Sequence, residues 1–103
     1  MNIEERVQIA ILSKYYGKML TERQQSILEM YVDNNLSLAE VSAELGISRQ
    51  AVKDALDNSL NTLKNMEEKL QFIVRDAKIK AQIENNKSID TLTKIQLIAL
   101  LED

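Results

Sequence analysis

Ser48, Arg49, Gln50 and Lys53 fall within six consecutive positions of this chain. Arginine and lysine neutralise phosphates, and arginine and glutamine can also hydrogen-bond to base edges. At the N-terminal end of an exposed helix such a set meets a nucleic-acid groove; elsewhere it is an ordinary hydrated surface. Both readings stand on the residue types alone. The neighbours weaken an electrostatic site, because Asp54 follows Lys53 at once and Asp57 lies one turn on. Two carboxylates facing phosphates repel them.

Other chemistry is sparse. The chain has no Cys and no His, which removes disulfides, thiolate or imidazole metal sites and His- or Cys-based catalysis. Glu67 and Glu68 are adjacent, so on a helix their carboxylates point different ways and do not converge on a substrate. Arg75, Lys78 and Lys80 form a short basic run that could touch RNA phosphates or form a solvated helix face. Tyr15, Tyr16 and Tyr31 recur at helical spacings and read as core or rim rather than as stacking platforms. With no phosphate-cradling glycine loop and no nucleophile beside a base, neither an enzyme nor a cofactor is expected.

The elements that must position these residues are helical. Proline is absent, glycine occurs twice and aromatics are few, which leaves a chain of helix formers. At 103 residues it is long enough for one modest core. We expect an all-α single domain over 1–103, with a helix-turn-helix core at 21–64 and an extension at 65–103. Five helices are expected, near 3–16, 21–34, 38–45, 49–84 and 89–101. Asn2, Thr21 and Ser37 each stand three residues before Glu5, Gln24 and Glu40, the spacing of reciprocal N-terminal caps. Gly17 is placed to end the first helix in a left-handed turn, and Asp33-Asn34-Asn35 to stop the second.

The stretch SLAEVSAELGISRQAV has the grammar of a helix-turn-helix. Gly46 supplies the positive φ of the tight turn. Val41, Leu45, Ile47 and Val52 can lock the two crossed helices, with Leu45, Ile47 and Val52 expected to be buried together. Ser42 occupies the crossing slot where a small residue, often alanine, is usual. Ser48 can cap the second helix, leaving Arg49, Gln50, Lys53 and Asp54 near its exposed end. Any helical hairpin with a glycine turn shares part of this pattern.

Past Val52 the apolar pattern does not stop. Leu56, Leu63, Leu70 and Ala77 recur at sevens, Val52, Ser59, Met66 and Ile73 fill the intervening seam, and no Pro or Gly interrupts before Asn85-Asn86. A helix of that length extends well beyond a three-helix core, so its stripe needs cover. Partial intramolecular cover plus a homodimer contact is expected, with Leu63, Met66, Leu70 and Ile73 as the candidate dimer or partner surface. Ser88 or Thr91 can open a last helix, whose apolar residues run nearly all round it.

Charge and targeting signals are muted. The formal net charge is −3, whereas nucleic-acid-binding domains are usually basic or carry a basic stripe. Residues 37–64 hold one more acid than base, and residues 65–87 one more base than acid. With no basic-then-apolar leader and no apolar run near 20 residues, a cytoplasmic, soluble protein without a membrane role is expected.

The stretch MLTERQQSILEMYVDNNLSLAEVSAELGISRQAVKDALDNSLNTLKNMEEKLQ resembles the YlxM-type helix-turn-helix proteins. The likeness takes in Tyr15-Tyr16, Leu20-Thr21, the Leu38 to Val52 core and Glu67-Glu68-Lys69-Leu70, and fades after about residue 80. Genes of that family commonly lie beside those of the signal recognition particle GTPases. The resemblance therefore implies a regulatory or accessory role in protein targeting, with a signal recognition particle GTPase or RNA as partner. The central part is also similar to the promoter-reading domain of major sigma factors, matching at Ser48-Arg49 and Val52. Where sigma-type helices commonly present further arginines, this chain has Ala51 and Lys53. A DNA-binding transcriptional regulator is the alternative, and a dimer scaffold that has kept only the shape of the motif is a third.

Overall fold

The computed structural model describes residues 2–102, and the regular elements among them are all helical. Six α-helices follow one another: α1 (Ile3–Tyr16), α2 (Glu22–Leu28), α3 (Leu38–Leu45), α4 (Arg49–Leu70), α5 (Phe72–Asn85) and α6 (Thr91–Glu102). They fall into two compact units, Met1–Leu70 and Gln71–Asp103.

The N-terminal caps form where side-chain spacing places them. The Asn2 side chain accepts from the Glu5 N–H at 2.8 Å. Thr21 and Gln24 bond reciprocally at 3.2 and 3.0 Å, and Ser37 and Glu40 at 3.0 and 3.1 Å. Each reciprocal pair satisfies two backbone donors that the first helical turn leaves open. Gly17 differs from expectation. It is right-handed at φ −58° and continues into a 3-10 turn over Gly17–Met19, so its conformational freedom is unused there.

The second helix widens at its end into a π-helical turn over Glu29–Asp33. The Asn34 N–H then donates to the Glu29 carbonyl at 2.9 Å, and Leu36 reaches back to Met30 at 3.0 Å. Asn35 stops the chain at φ 56°. Arg6 of α1 clamps this end: its guanidinium donates to the Val32 carbonyl at 3.3 Å and to the Asn35 side chain. A cation suits a helix C-terminus, where carbonyls lack partners.

In the first unit, α1, α2 and α3 all pack on α4. Ile27, Val41, Val52 and Leu63 are wholly buried, with Ile9, Tyr16, Leu20, Leu28, Val32 and Leu56 close behind. The Tyr16 hydroxyl donates to Glu67 Oε1 at 2.5 Å, which ties α1 to the last turns of α4. Ser59 is buried too, and its hydroxyl donates to the Ala55 carbonyl at 2.7 Å within its own helix. A polar seam residue is thereby satisfied without a partner from another element. Of the expected Leu45, Ile47 and Val52 cluster, only Val52 is fully buried; Leu45 and Ile47 are half-buried.

The long fourth helix is the main correction. The described residues form six α-helices rather than five, because the stretch expected to run from 49 to 84 breaks at Gln71, which is left-handed at φ 56° and ψ 32°. Such a residue cannot continue a right-handed helix, and a β-carbon makes that geometry costly by roughly 1–2 kcal/mol.

In the second unit α5 and α6 pack as a hairpin. Asp90, rather than Ser88 or Thr91, caps α6: its carboxylate accepts from the Thr93 N–H at 2.7 Å. That bond holds the Asp90 carboxyl below its ordinary pKa. Lys94 Nζ donates to the Glu84 carbonyl at 2.9 Å, closing the hairpin from the other side of the loop. Among the described residues of this unit no apolar side chain reaches the burial of the first unit's core.

Candidate nucleic-acid interface

The site is built on the turn between α3 and α4. Gly46 sits at φ 66° and ψ 33°, and its N–H donates to the Ser42 carbonyl. An added β-carbon there would meet nothing within 4 Å, so the demand for glycine comes from the backbone angle and not from crowding. The Ile47 N–H also reaches the Ser42 carbonyl, at 3.2 Å. The Ser42 hydroxyl returns a hydrogen bond to the Ile47 carbonyl across the turn. The small residue expected at the helix crossing thus has a second role that size alone does not convey.

Ser48 caps α4, accepting from the Ala51 N–H at 3.0 Å. Its hydroxyl is engaged in holding the helix start, while Arg49 and Gln50 stand exposed in the first turn and Lys53 one turn on. Among the described residues Arg49 makes no ion pair. A cation in the first turn opposes the helix dipole, so α4 gains no stability from it. Lys53 Nζ pairs with Asp57 Oδ2 at 3.1 Å, and Gln50 Nε2 donates to Asp54 Oδ1 at 2.8 Å. Both are i,i+4 contacts on one exposed helix, each contributing a few tenths of a kcal/mol. They are easily opened, yet each puts a carboxylate beside a donor that a phosphate or base would use.

Asp54 and Asp57 are therefore partners within the candidate surface as well as repulsive neighbours of it. Their i,i+4 spacing from Gln50 and Lys53 was the available sequence signal.

The second candidate set is dispersed. Leu63 is wholly buried in the first unit's core. Met66 is half-buried, Leu70 is exposed at the end of α4, and Ile73 is half-buried in α5 past the break. Gln71 interrupts the seam between the last two. The basic run lies on α5, where Arg75 bonds Asp76 at 3.1 Å and stacks over the Phe72 ring at 4.8 Å from its centroid. Tyr16 is core, with Tyr15 and Tyr31 at the rim, and the Tyr15 and Tyr16 ring centroids are 6.0 Å apart. No helix among the described residues is long and apolar enough to cross a membrane.

A capped helix following a left-handed glycine turn, with its polar first turn open to solvent, has the form of a helix-turn-helix. Residues 3–101 match the family model described as UPF0122, "Putative helix-turn-helix protein, YlxM / p13 like", and the chain belongs to this family. It is 44% identical over 71 residues to a UPF0122 protein of Desulforamulus reducens, covering 69% of this chain and 61% of that one. It is 38% identical over 93 residues to a UPF0122 protein of Malacoplasma penetrans, covering 87% of each. A UPF0122 protein of Clostridium kluyveri is 39% identical over 85 residues, covering 82% of this chain and 73% of that relative.

Proposed function

We propose that this chain is a non-enzymatic regulatory or accessory protein of signal-recognition-particle-dependent targeting, acting in the cytoplasm. Its recognition helix does not hold duplex DNA tightly by itself. The observation that carries the second half is the internal pairing on α4: Lys53 with Asp57, and Gln50 with Asp54. Binding to a polyanion depends on releasing counterions from phosphates, and a cation already matched by a carboxylate contributes little to that. The targeting pathway rests on the resemblance to YlxM-type proteins. Its particle RNA or GTPase is the partner, and two copies of the chain act together. Pairing would supply two recognition helices, which a duplex accepts when they lie about 34–36 Å apart.

The alternative is a DNA-binding transcriptional regulator. Arg49 favours it, exposed in the first turn of α4 and without an ion pair among the described residues. The two readings separate in a direct comparison. Purified protein would be titrated against signal recognition particle RNA, against the pathway's GTPases, and against duplex DNA of random sequence. Binding to the RNA or a GTPase that survives Arg49→Ala/Lys53→Ala supports the accessory role. Binding confined to DNA and lost in that variant supports the regulator.

A further inference from the structure

One face of α6 is exposed among the described residues. Leu92, Ile95 and Leu100 are 65%, 60% and 70% exposed, and Gln96 and Ala99 between them are exposed too. At 3.6 residues per turn these five positions fall within an arc of about 140°. The opposite arc carries Thr93, Lys94, Leu97, Ile98 and Leu101, all half-buried, in the helix that packs against α5. So α6 has two apolar sides, and the hairpin covers only one.

We infer that the Leu92–Ile95–Ala99–Leu100 face of α6 is where two copies of this chain meet, hairpin against hairpin. This deepens the pairing proposed above and rests on it. The second unit spans only Gln71–Asp103, and chains below about 40 residues rarely hold a core without metals, disulfides or association. Cys is absent, and no group of residues that could hold a metal occurs among those described. A second copy would supply cover of this kind, since two helical hairpins combine naturally as a four-helix bundle. Ile79 of α5, 39% exposed, offers that bundle further apolar surface.

A two-fold axis sets a surface against itself, so any net charge on it is repelled by its own image. None of these five residues is ionisable, and exposed Glu102 stands only at the edge of the face, seven residues beyond Ile95. Lys94 lies on the other arc, with its ammonium on the Glu84 carbonyl. Small Ala99 near the middle lets two helices approach closely. A lipid surface is the poorer occupant, since helices that lie in a membrane interface carry lysine or arginine along the polar side, and Lys94 is the one cation among the described residues of α6. Nucleic acid finds no cation on the face at all.

A handful of side chains per copy falls short of the roughly 20–30 residues a side of a standard interface, so a dimer with a dissociation constant in the micromolar range is expected. Sedimentation equilibrium across about 1–200 µM without nucleic acid reads this directly. Wild type should pass from monomer to dimer over that range. Ile95→Glu and Ile95→Lys should each stay monomeric with unchanged helical circular dichroism. Mixing the two should restore the dimer, which a merely unfolded variant could not do. Leu70→Glu, at the end of α4, should dimerise like wild type. Wild type remaining monomeric would overturn both the face and the pairing. Dimers that tolerate both Ile95 variants but are lost in Leu70→Glu would overturn the face and leave the pairing standing.

Discussion

The Ser42 hydroxyl donates a hydrogen bond to the Ile47 carbonyl across the glycine turn that joins α3 to α4. The same residue's carbonyl receives the Gly46 and Ile47 N–H groups, so one small side chain and its backbone close the turn from both sides. Ser42→Ala, which keeps the size, should therefore still cost about 1 kcal/mol by leaving a half-buried carbonyl unmatched. Gly46→Ala should cost about as much or slightly more through the positive φ alone. Because the space around Gly46 is open, Gly46→Asn should recover most of that loss, asparagine being tolerant of the left-handed region. Urea unfolding of the three variants checks both statements.

Burial ranks the core. Leu63 is fully enclosed, whereas Leu45 is half-buried at the helix crossing. Leu63→Ala should cost roughly 2–5 kcal/mol, as enclosed leucines do when truncated. Leu45→Ala should fall at or below the lower end of that range. Equal losses at the two positions, measured by the same urea titrations, would mean that α3 packs more tightly than its exposure indicates.

Gln71 offers a test of the broken helix. Replacing it by glycine removes the β-carbon that makes the left-handed conformation costly, so Gln71→Gly should stabilise the fold by up to about 1 kcal/mol. Thermal unfolding reads the sign. A helix continuous through residue 71 would instead be destabilised by glycine, by a similar amount.

The contrast between Gly46 and Gln71 shows how far the sequence could be read. Gly46 marks its turn because glycine is the residue that adopts positive φ freely, and the caps at Thr21 and Ser37 are marked by their partners three residues on. Gln71 carries no such mark. It sits in an unbroken heptad pattern, glutamine is a good helix former, and no local rule separates it from its neighbours. At the site, the places of Ser48, Arg49, Gln50 and Lys53 on the capped start of α4 were legible from the motif. The pairing of Gln50 with Asp54 and of Lys53 with Asp57 was legible only as charge repulsion, because i,i+4 spacing permits a contact without requiring one.

Asp90 should make the second unit sensitive to acid. The Thr93 N–H and hydroxyl stabilise its carboxylate, so its folded pKa lies below the unfolded value. For a lowered acid, the stabilisation is fully present above the unfolded pKa and disappears as pH falls through the folded one. NMR titration should place the Asp90 midpoint below that of an unstructured aspartate. Asp90→Asn keeps a competent cap and should remove this pH dependence, with the protection of the α6 amides relative to their intrinsic exchange rates flat through the acid range. An Asp90 midpoint at the ordinary value would mean that the cap does not persist in solution.

The most direct measurement of the central claim is the salt dependence of binding to random duplex DNA between about 50 and 200 mM, comparing wild type with Asp54→Asn/Asp57→Asn and Arg49→Ala/Lys53→Ala. The pairing on α4 predicts weak binding by wild type at the higher salt and little further loss in the alanine variant. Freeing Lys53 in the asparagine variant should tighten binding and steepen the log–log slope by roughly one phosphate contact. Submicromolar binding by wild type at about 200 mM, abolished in the alanine variant and unchanged in the asparagine one, would contradict the account and place this chain among proteins that read DNA unaided.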